Sequence, residues 1–197
     1  PYQDYITWLQ EQDFSISKQY WRDLLKGFTT PTSLPTARIH AAHANSSSHH
    51  TLQVSLSEST TNALKSFVEK HELTLNTILQ GAWSLLISHY SKTEDVVFGA
   101  TRACRYSSVP EASRMVGMLI NTLPVRVQPK AEKLLLPWLQ ELRNQHLAVR
   151  PYEHTPLVQV QAWSDVPANL SLFDSLVVFE NRDWNAVFPH EEGSSQK

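Results

Sequence analysis

The stretch MVGMLINTLPVRV, residues 115–127, decides the fold class of this chain. It is an apolar run with β-branched residues, which is typical of a buried strand. Pro124 disfavours helical backbone at the residue before it, so the run is extended at least from Leu123. The shorter apolar run DVVFGA, residues 95–100, predicts a second, inner strand that ends at Gly99.

Helical patterns surround these two strands. Apolar residues at helical spacing predict a helix from Tyr5 to Leu25, broken near residues 14–17 and stopped by Gly27. Ser57 is a suitable N-cap for the next helix, with Glu58 in its first turn. The helix after it has a wide apolar stripe that predicts burial in the core. That stripe consists of Leu75, Ile78, Leu79, Ala82, Leu85, Leu86 and His89.

The remaining elements complete an α/β pattern. Residues 51–57, TLQVSLS, alternate apolar and polar side chains and predict a half-buried strand, and residues 172–181, LFDSLVVFEN, predict a closing strand. Further helices are predicted over residues 136–149, with Pro137 in the first turn, and over residues 155–163. Strands separated by helices of this length favour a mixed sheet with helices packed on it.

Composition excludes several classes of function. The 197 residues carry a net charge of −2 without a clustered basic face, which argues against nucleic-acid binding. No apolar run reaches the roughly 18 residues that a membrane helix needs. The single cysteine, Cys104, allows no internal disulfide, and no signal-peptide pattern is present, so we expect a cytoplasmic protein.

Three stretches, in chain order, resemble the later motifs of condensation domains from nonribosomal peptide synthetases. They are YQDYITW at 2–8, VGMLINTLPVRV at 116–127 and YEHTPLVQVQ at 152–161. The segments YWRDLLKGF, DVVFGATRACR and LFDSLVVFEN between and after them also follow the usual order of that family. The resemblance covers residues 1–183 and leaves residues 184–197 as a polar tail or linker.

This resemblance implies one lobe of the chloramphenicol acetyltransferase-like fold, in which two α/β lobes form a V around a tunnel. The chain would be the C-terminal lobe of a domain that joins an acyl or peptidyl donor to an aminoacyl acceptor through an amide bond. Both substrates would be carried on the phosphopantetheine of carrier proteins, with no cofactor bound by this lobe. The implied partners are the N-terminal lobe, peptidyl or acyl carrier proteins and an adjacent adenylation domain.

The histidine pair His49 and His50 raises the question of catalysis. In the family the first lobe supplies an HHxxxDG motif, but the Asp and Gly positions after this pair hold Val54 and Ser55. No acidic residue nearby would orient either imidazole as a base. We therefore expect no catalytic residue in this chain and no activity from the chain alone.

The same histidines, together with His40 and His43, are residue types that bind metal ions. Zinc is normally held by a preformed cage of three or four ligands, which a serine-rich loop does not provide. We expect no metal site.

Five residues are candidates for the tunnel or for the surface that faces a carrier. Asn121 positions a substrate or pantetheine arm, or it bonds neighbouring backbone at a bulge. Arg126 contacts phosphopantetheine or, as we favour, pairs with an acidic neighbour. Gly117 fixes backbone shape. Asp4 and Tyr5 match a family position near the lobe junction, and simple helix packing explains them equally well.

The segment GATRACRYSS, residues 99–108, departs from the pattern of the family. Arg102 and Arg105 could select an acidic substrate or meet a carrier phosphate, but we favour exposure to solvent. Cys104 has no adjacent base and is predicted to be a small buried side chain. His154 is predicted to stabilise a turn.

The sequence leaves two other functions open. The chain could be a non-catalytic module that docks carrier proteins or forms a homodimer, because a missing first lobe would leave an apolar face uncovered. Alternatively, it could be a relative that uses coenzyme A in place of carriers. The flanking sequence of the parent protein would distinguish these functions.

Overall fold

A computed structural model describes residues 1–34, 50–106, 109 and 111–180. The serine-rich loop that contains His40, His43 and His49 therefore falls mostly outside the described residues. The predicted polar tail at 184–197 also lies outside them. Among the described residues, no helix has the length and apolar character needed to cross a bilayer.

The described strands form one mixed sheet, as the sequence predicts. Strand β1 (Val96–Ala103) lies in the middle, antiparallel to β2 (Ile120–Val127) and parallel to the short β3 (Leu176–Val177). The first five residues of β1 are buried, which fits its central position. The closing strand predicted over ten residues is thus reduced to two, because only Leu176 and Val177 lie in register with β1.

Helices cover the sheet on both sides. They are α1 (Tyr2–Gln10), α2 (Ser15–Leu25), α3 (Glu58–Lys70), α4 (Leu75–Ser91), α5 (Leu135–Ala148) and α6 (Leu157–Trp163). Helices α3, α4 and α5 pack on one side, against Phe98 and Val125 among others. Helices α2 and α6 pack on the other side, around Trp21 and Val160. Helix α1 belongs to a separate small cluster with Leu119, just before β2.

Local signals fix the helix ends. The first helix is broken at residues 11–14, slightly before the predicted 14–17. Helix α2 ends before Gly27, whose φ of 76° lies in the left-handed region that suits glycine. The Ser57 hydroxyl accepts the backbone N–H of Thr60 at 3.1 Å, which confirms the predicted N-cap of α3.

Helix α4 buries a different face from the predicted one. The buried residues are Thr77, Gln80, Gly81, Ser84 and Ile87. Small side chains bring α4 close to α5, since a Cβ on Gly81 would lie 2.7 Å from the Leu139 side chain. Leu79, Leu85 and Leu86 stay 43–48% exposed, so the prediction of their burial is wrong in this chain.

The strand predicted at residues 51–57 is not formed within the described part of the chain. Leu52, Val54 and Leu56 are exposed, and the segment has no strand assignment. Apolar residues at every second position are typical of a strand that packs one face against a core. A strand also needs a neighbour for its backbone hydrogen bonds, and the described sheet gives this segment none.

Candidate functional site

Asn121 joins the start of β2 to a turn 32 residues further along the chain. Its Nδ2 donates to the carbonyl oxygens of Glu153 at 2.9 Å and Thr155 at 2.8 Å, and its Oδ1 accepts the N–H of Thr122 at 2.9 Å. Because an amide nitrogen carries two hydrogens, both donors are used by the backbone. The geometry corresponds to the backbone-bonded alternative, although across the fold rather than at a local bulge.

Tyr5 and His154 form a second link between α1 and that turn. The Tyr5 hydroxyl and His154 Nδ1 are 3.0 Å apart, and the Trp8 ring meets the imidazole edge-on with centroids 4.7 Å apart. Burial raises the pKa of Tyr5 to about 12 and lowers the pKa of His154. Both groups are therefore neutral at pH 7, and the hydrogen bond between them joins two uncharged side chains.

The turn itself is closed by a neighbour of His154. The backbone N–H of Thr155 donates to the carbonyl oxygen of Tyr152 at 3.0 Å, and the Thr155 hydroxyl donates to the same oxygen at 2.8 Å. The predicted turn-stabilising role belongs to Thr155 for this reason. His154 instead contacts α1.

Gly117 lies where α1 approaches the chain before β2. A Cβ at this position would be only 2.3 Å from Cδ2 of the Tyr2 ring, so only glycine leaves room for the ring. The Tyr2 hydroxyl donates to the carbonyl oxygen of Met118 at 3.0 Å. Gly117 therefore allows the Tyr2 ring to approach the backbone closely. Asp4, on the same helix as Tyr2, is exposed.

Arg126 is held by an acidic neighbour, the alternative that we favour from the sequence. Its Nε and one terminal nitrogen donate to the two carboxylate oxygens of Asp95 at 2.8 and 2.6 Å. The other terminal nitrogen donates to the carbonyl oxygens of Leu24 at 3.0 Å and Lys26 at 2.8 Å. These bonds to Asp95 raise the pKa of Arg126. In this conformation the guanidinium joins β2 to the end of α2.

The prediction that Arg102 and Arg105 point to solvent is wrong. Arg105 donates to the carbonyl oxygen of Met115 at 2.7 Å, and Arg102 Nε is buried. Burial lowers the pKa of Arg102, while the carboxylate of Glu153 opposes that shift. Side chains alternate between the two faces of a strand, and in β1 this alternation directs Arg102 towards α5. The sequence alone does not show which helix covers that face.

Cys104 is buried, as predicted. Its thiol donates to the carbonyl oxygen of Glu153 at 3.3 Å, and burial raises its pKa to about 12. The thiol is therefore protonated at neutral pH and is a poor nucleophile.

A buried polar pair between α4 and α5 was missed by sequence reasoning. His146 is 3% exposed, and its Nε2 lies 2.9 Å from Oε1 of Gln80, whose amide nitrogen donates to Asn76. Burial, with smaller contributions from Arg102 and Arg143, lowers the pKa of His146 to about 3. The available signal was the presence of polar residues at helical spacing on the face opposite the apolar stripe.

Among the described residues, no group of three or more His, Cys, Asp or Glu side chains could hold a metal ion. Of the candidate residues, Tyr5, Gly117 and Asn121 lie at a junction between α1, β2 and the turn at 152–155, whereas Arg126 joins β2 to the end of α2. The side chains of Asn121 and Arg126 together donate four hydrogen bonds to backbone carbonyl oxygens of distant segments. Such bonds fix how these segments pack against one another.

Comparisons with solved structures define the class of fold. The X-domain from teicoplanin biosynthesis superposes with a TM-score of 0.69 at 22% identity, covering 87% of this chain and 40% of that one. A four-domain nonribosomal peptide synthetase bound to AMP and glycine gives a TM-score of 0.69 at 17% identity, covering 90% of this chain and 14% of that one. The chain therefore has an α/β architecture of the chloramphenicol acetyltransferase-like fold.

Sequence comparison then gives the family. The family model for the condensation domain matches residues 1–197. A linear gramicidin synthase of Brevibacillus parabrevis is 45% identical over 181 residues, covering 91% of this chain and 4% of that protein. A surfactin synthase of Bacillus subtilis is 35% identical over 181 residues, covering 92% of this chain and 14% of that protein. The chain belongs to the condensation domain family of nonribosomal peptide synthetases, and it spans a small part of these relatives.

Proposed function

We propose that this chain is the C-terminal lobe of a condensation domain and contributes one wall of the tunnel in which an amide bond forms. In this proposal, residues 1–183 form the lobe and residues 184–197 a tail or linker. An aminoacyl thioester on one carrier supplies the free amine, and an acyl or peptidyl thioester on another supplies the carbonyl. The proton-handling histidine belongs to the other lobe.

The exposure of apolar side chains carries this proposal. Val116, Met118 and Ile120 alternate along the chain into β2, and they are 93%, 76% and 64% exposed. The residue between the last two, Leu119, is fully buried, so the apolar strip faces outward from a fixed backbone. The outer face of α4 adds Leu79, Leu85 and Leu86. Exposed apolar side chains in such groups usually mark an interface, and a second lobe is a suitable cover.

The chemistry follows from tethering. The amine nitrogen attacks the thioester carbonyl, the C–N bond forms, the C–S bond breaks, and the thiol of the donor pantetheine leaves with a proton. Holding two tethered substrates in the correct orientation makes the encounter effectively unimolecular. In this account Asn121 and Arg126 contribute by fixing the wall, since their polar groups bind backbone and Asp95.

The partners follow from the same proposal. They are the N-terminal lobe, the donor and acceptor carrier proteins with their phosphopantetheine arms, and an adjacent adenylation domain, all in the cytoplasm. The lobe itself would bind no cofactor.

Two sets of histidine variants in the complete synthetase test this function. Replacing the second histidine of the HHxxxDG motif by alanine should abolish peptide formation. The double replacement His49→Ala and His50→Ala should leave peptide formation close to the wild-type rate. Loss of peptide formation in the second variant, with carrier loading intact, would contradict the proposal.

A non-catalytic dimerising module is a second candidate, favoured by the same apolar strip. Sedimentation of the chain and of its Met118→Lys variant at increasing concentration measures whether the chain forms a dimer. A dimer that Met118→Lys dissociates, together with full peptide formation by a synthetase lacking this segment, would favour the module.

A further inference from the structure

The segment at residues 51–57 leaves its apolar side chains uncovered. Leu52, Val54 and Leu56 are 90%, 76% and 61% exposed, and Gln53 and Ser55 between them are exposed as well. No hydrogen bond between backbone groups joins residues 51–56 to another described residue. The described part of the chain therefore gives this segment neither a packing partner nor a ladder of hydrogen bonds.

The composition of the segment is that of a strand with a partner. TLQVSLS contains no charged residue, proline or glycine, and its apolar residues occupy every second position. Edge strands that stay in water usually carry charges or proline, which prevent pairing with another strand. An uncharged alternating segment that stayed bare would promote aggregation. We therefore expect this segment to be paired in the intact protein.

Helix α3 fixes one end of the segment. The Ser57 backbone is extended, with φ −63° and ψ 155°, and the Ser57 hydroxyl accepts the N–H of Thr60 at 3.1 Å. This N-cap ends the helix on its N-terminal side, so residues 51–56 do not continue α3.

The open edge of β2 is a poor partner for the segment. Gly99 donates its N–H to Ser175, on the side of β3, so its register partner Pro124 directs its backbone groups away from β1. Pro124 has no N–H to offer at this edge. At the neighbouring outward positions, side chains already bond the N–H of Thr122 and the carbonyl oxygen of Arg126. A strand added here would lack three of its hydrogen bonds.

A large part of the fold lies outside this chain. The matched region accounts for only 40% of the X-domain from teicoplanin biosynthesis, which has the same fold. We propose that a β-strand from the part of the condensation domain outside residues 1–197 pairs with residues 51–57 and covers Leu52, Val54 and Leu56. This inference rests on the proposed function, because it takes the chain to be one part of a larger domain.

Two aspartate variants of the complete condensation domain test the covered face. Val54→Asp and Ser55→Asp add the same charge at adjacent positions that are both exposed in this chain, so both should be near neutral without a partner strand. With the partner, Val54→Asp places a carboxylate against an apolar surface and should raise the unfolding equilibrium constant in urea at least about 30-fold. Ser55→Asp should change it less than about threefold. Equal effects would overturn the proposal.

Hydrogen exchange in the unmodified complete domain gives a second readout, which does not require a variant to fold. We expect backbone amides of alternate residues in 52–56 to exchange at least about 100-fold more slowly than in an unstructured peptide of the same sequence. Exchange of all these amides at the rate of the peptide would overturn the proposal. Protection only at concentrations where the domain dimerises would also overturn it, because the partner would then be a second copy.

Peptide formation by the same preparation separates this inference from the proposed function. A domain that protects residues 51–57 but forms no peptide would contradict the proposed function and support the pairing. A domain that forms peptide while residues 51–57 exchange freely would contradict the pairing alone.

Discussion

Replacing Asn121 by aspartate keeps the shape of the side chain and reverses the polarity of its key contacts. In the wild type, Nδ2 donates to two carbonyl oxygens, those of Glu153 and Thr155, at 2.9 and 2.8 Å. A carboxylate oxygen in that place would face both carbonyl oxygens without a hydrogen between them. The substitution therefore removes two hydrogen bonds and adds repulsion.

The size of the effect follows from those contacts. Two lost hydrogen bonds account for about 2 kcal/mol, and the poorly solvated carboxylate adds about 1–2 kcal/mol, for a total of about 3–4 kcal/mol at pH 7. The surrounding oxygens disfavour the charged form, so the introduced group has a folded-state pKa above its unfolded value of about 3.9. The penalty is therefore largest at neutral pH, and it shrinks as the pH falls through the folded pKa and the group becomes protonated.

Urea unfolding at pH 7 and at pH 4, followed by circular dichroism, measures this penalty. Asn62→Asp is the matched control, because Asn62 is exposed on α3 and the same change there should stay within about 0.5 kcal/mol. If Asn121→Asp were as stable as this control at pH 7, the amide would not hold β2 to the turn. The tunnel-facing alternative would then be the better explanation of Asn121.

Three further predictions concern stability. Gly117→Ala should cost about 2 kcal/mol through collision with the Tyr2 ring, and the cost should largely disappear in a Tyr2→Ala background, whereas additive effects would contradict the contact. Arg126→Lys should cost about 1–3 kcal/mol because lysine cannot bond Asp95 through two nitrogens, while Arg114→Lys on the surface should be neutral in the same urea assay. His146 has a folded pKa of about 3, below its unfolded value of about 6.5, so its contribution is complete above pH 6.5 and lost as the pH falls. His146→Gln should reduce the loss of stability between pH 7 and pH 5 by about 2 kcal/mol, and an unchanged pH dependence would show that His146 does not titrate as described.

Much of the fold is readable from local sequence because its signals are local. The cap at Ser57 depends on a hydroxyl three residues from its donor, and the inner strand β1 is a continuous apolar run. The break between α1 and α2 and the stop before Gly27 are likewise set by neighbouring residues.

Errors arose where burial depends on what packs against an element. Helix α4 turns its small residues to the core because Trp138 and Leu139 fill the space beside Gly81. Periodicity finds the more apolar face of a helix, but it does not tell which neighbour covers that face. The leucines of α4 are exposed, and residues 51–57 have no partner strand in the described sheet. Both features are expected if another part of the protein packs against these segments.

The site was harder to predict because its contacts are long-range. Sequence singled out Asn121, Arg126 and Gly117, but their partners lie up to 115 positions away along the chain, as with Tyr2 at Gly117. Burial of Arg102 and the pairing of His146 with Gln80 depend on the packing of α5 against the sheet and α4. No spacing rule connects such residues.

The central claim is that this chain supplies half of a reaction chamber and needs another lobe for chemistry. The direct measurement is the rate of peptide formation from loaded donor and acceptor carriers with this chain alone, and with the separately produced HHxxxDG lobe added. The account predicts no rate above the uncatalysed background for the chain alone and catalysis once the second lobe is added. Robust turnover by the chain alone would contradict it.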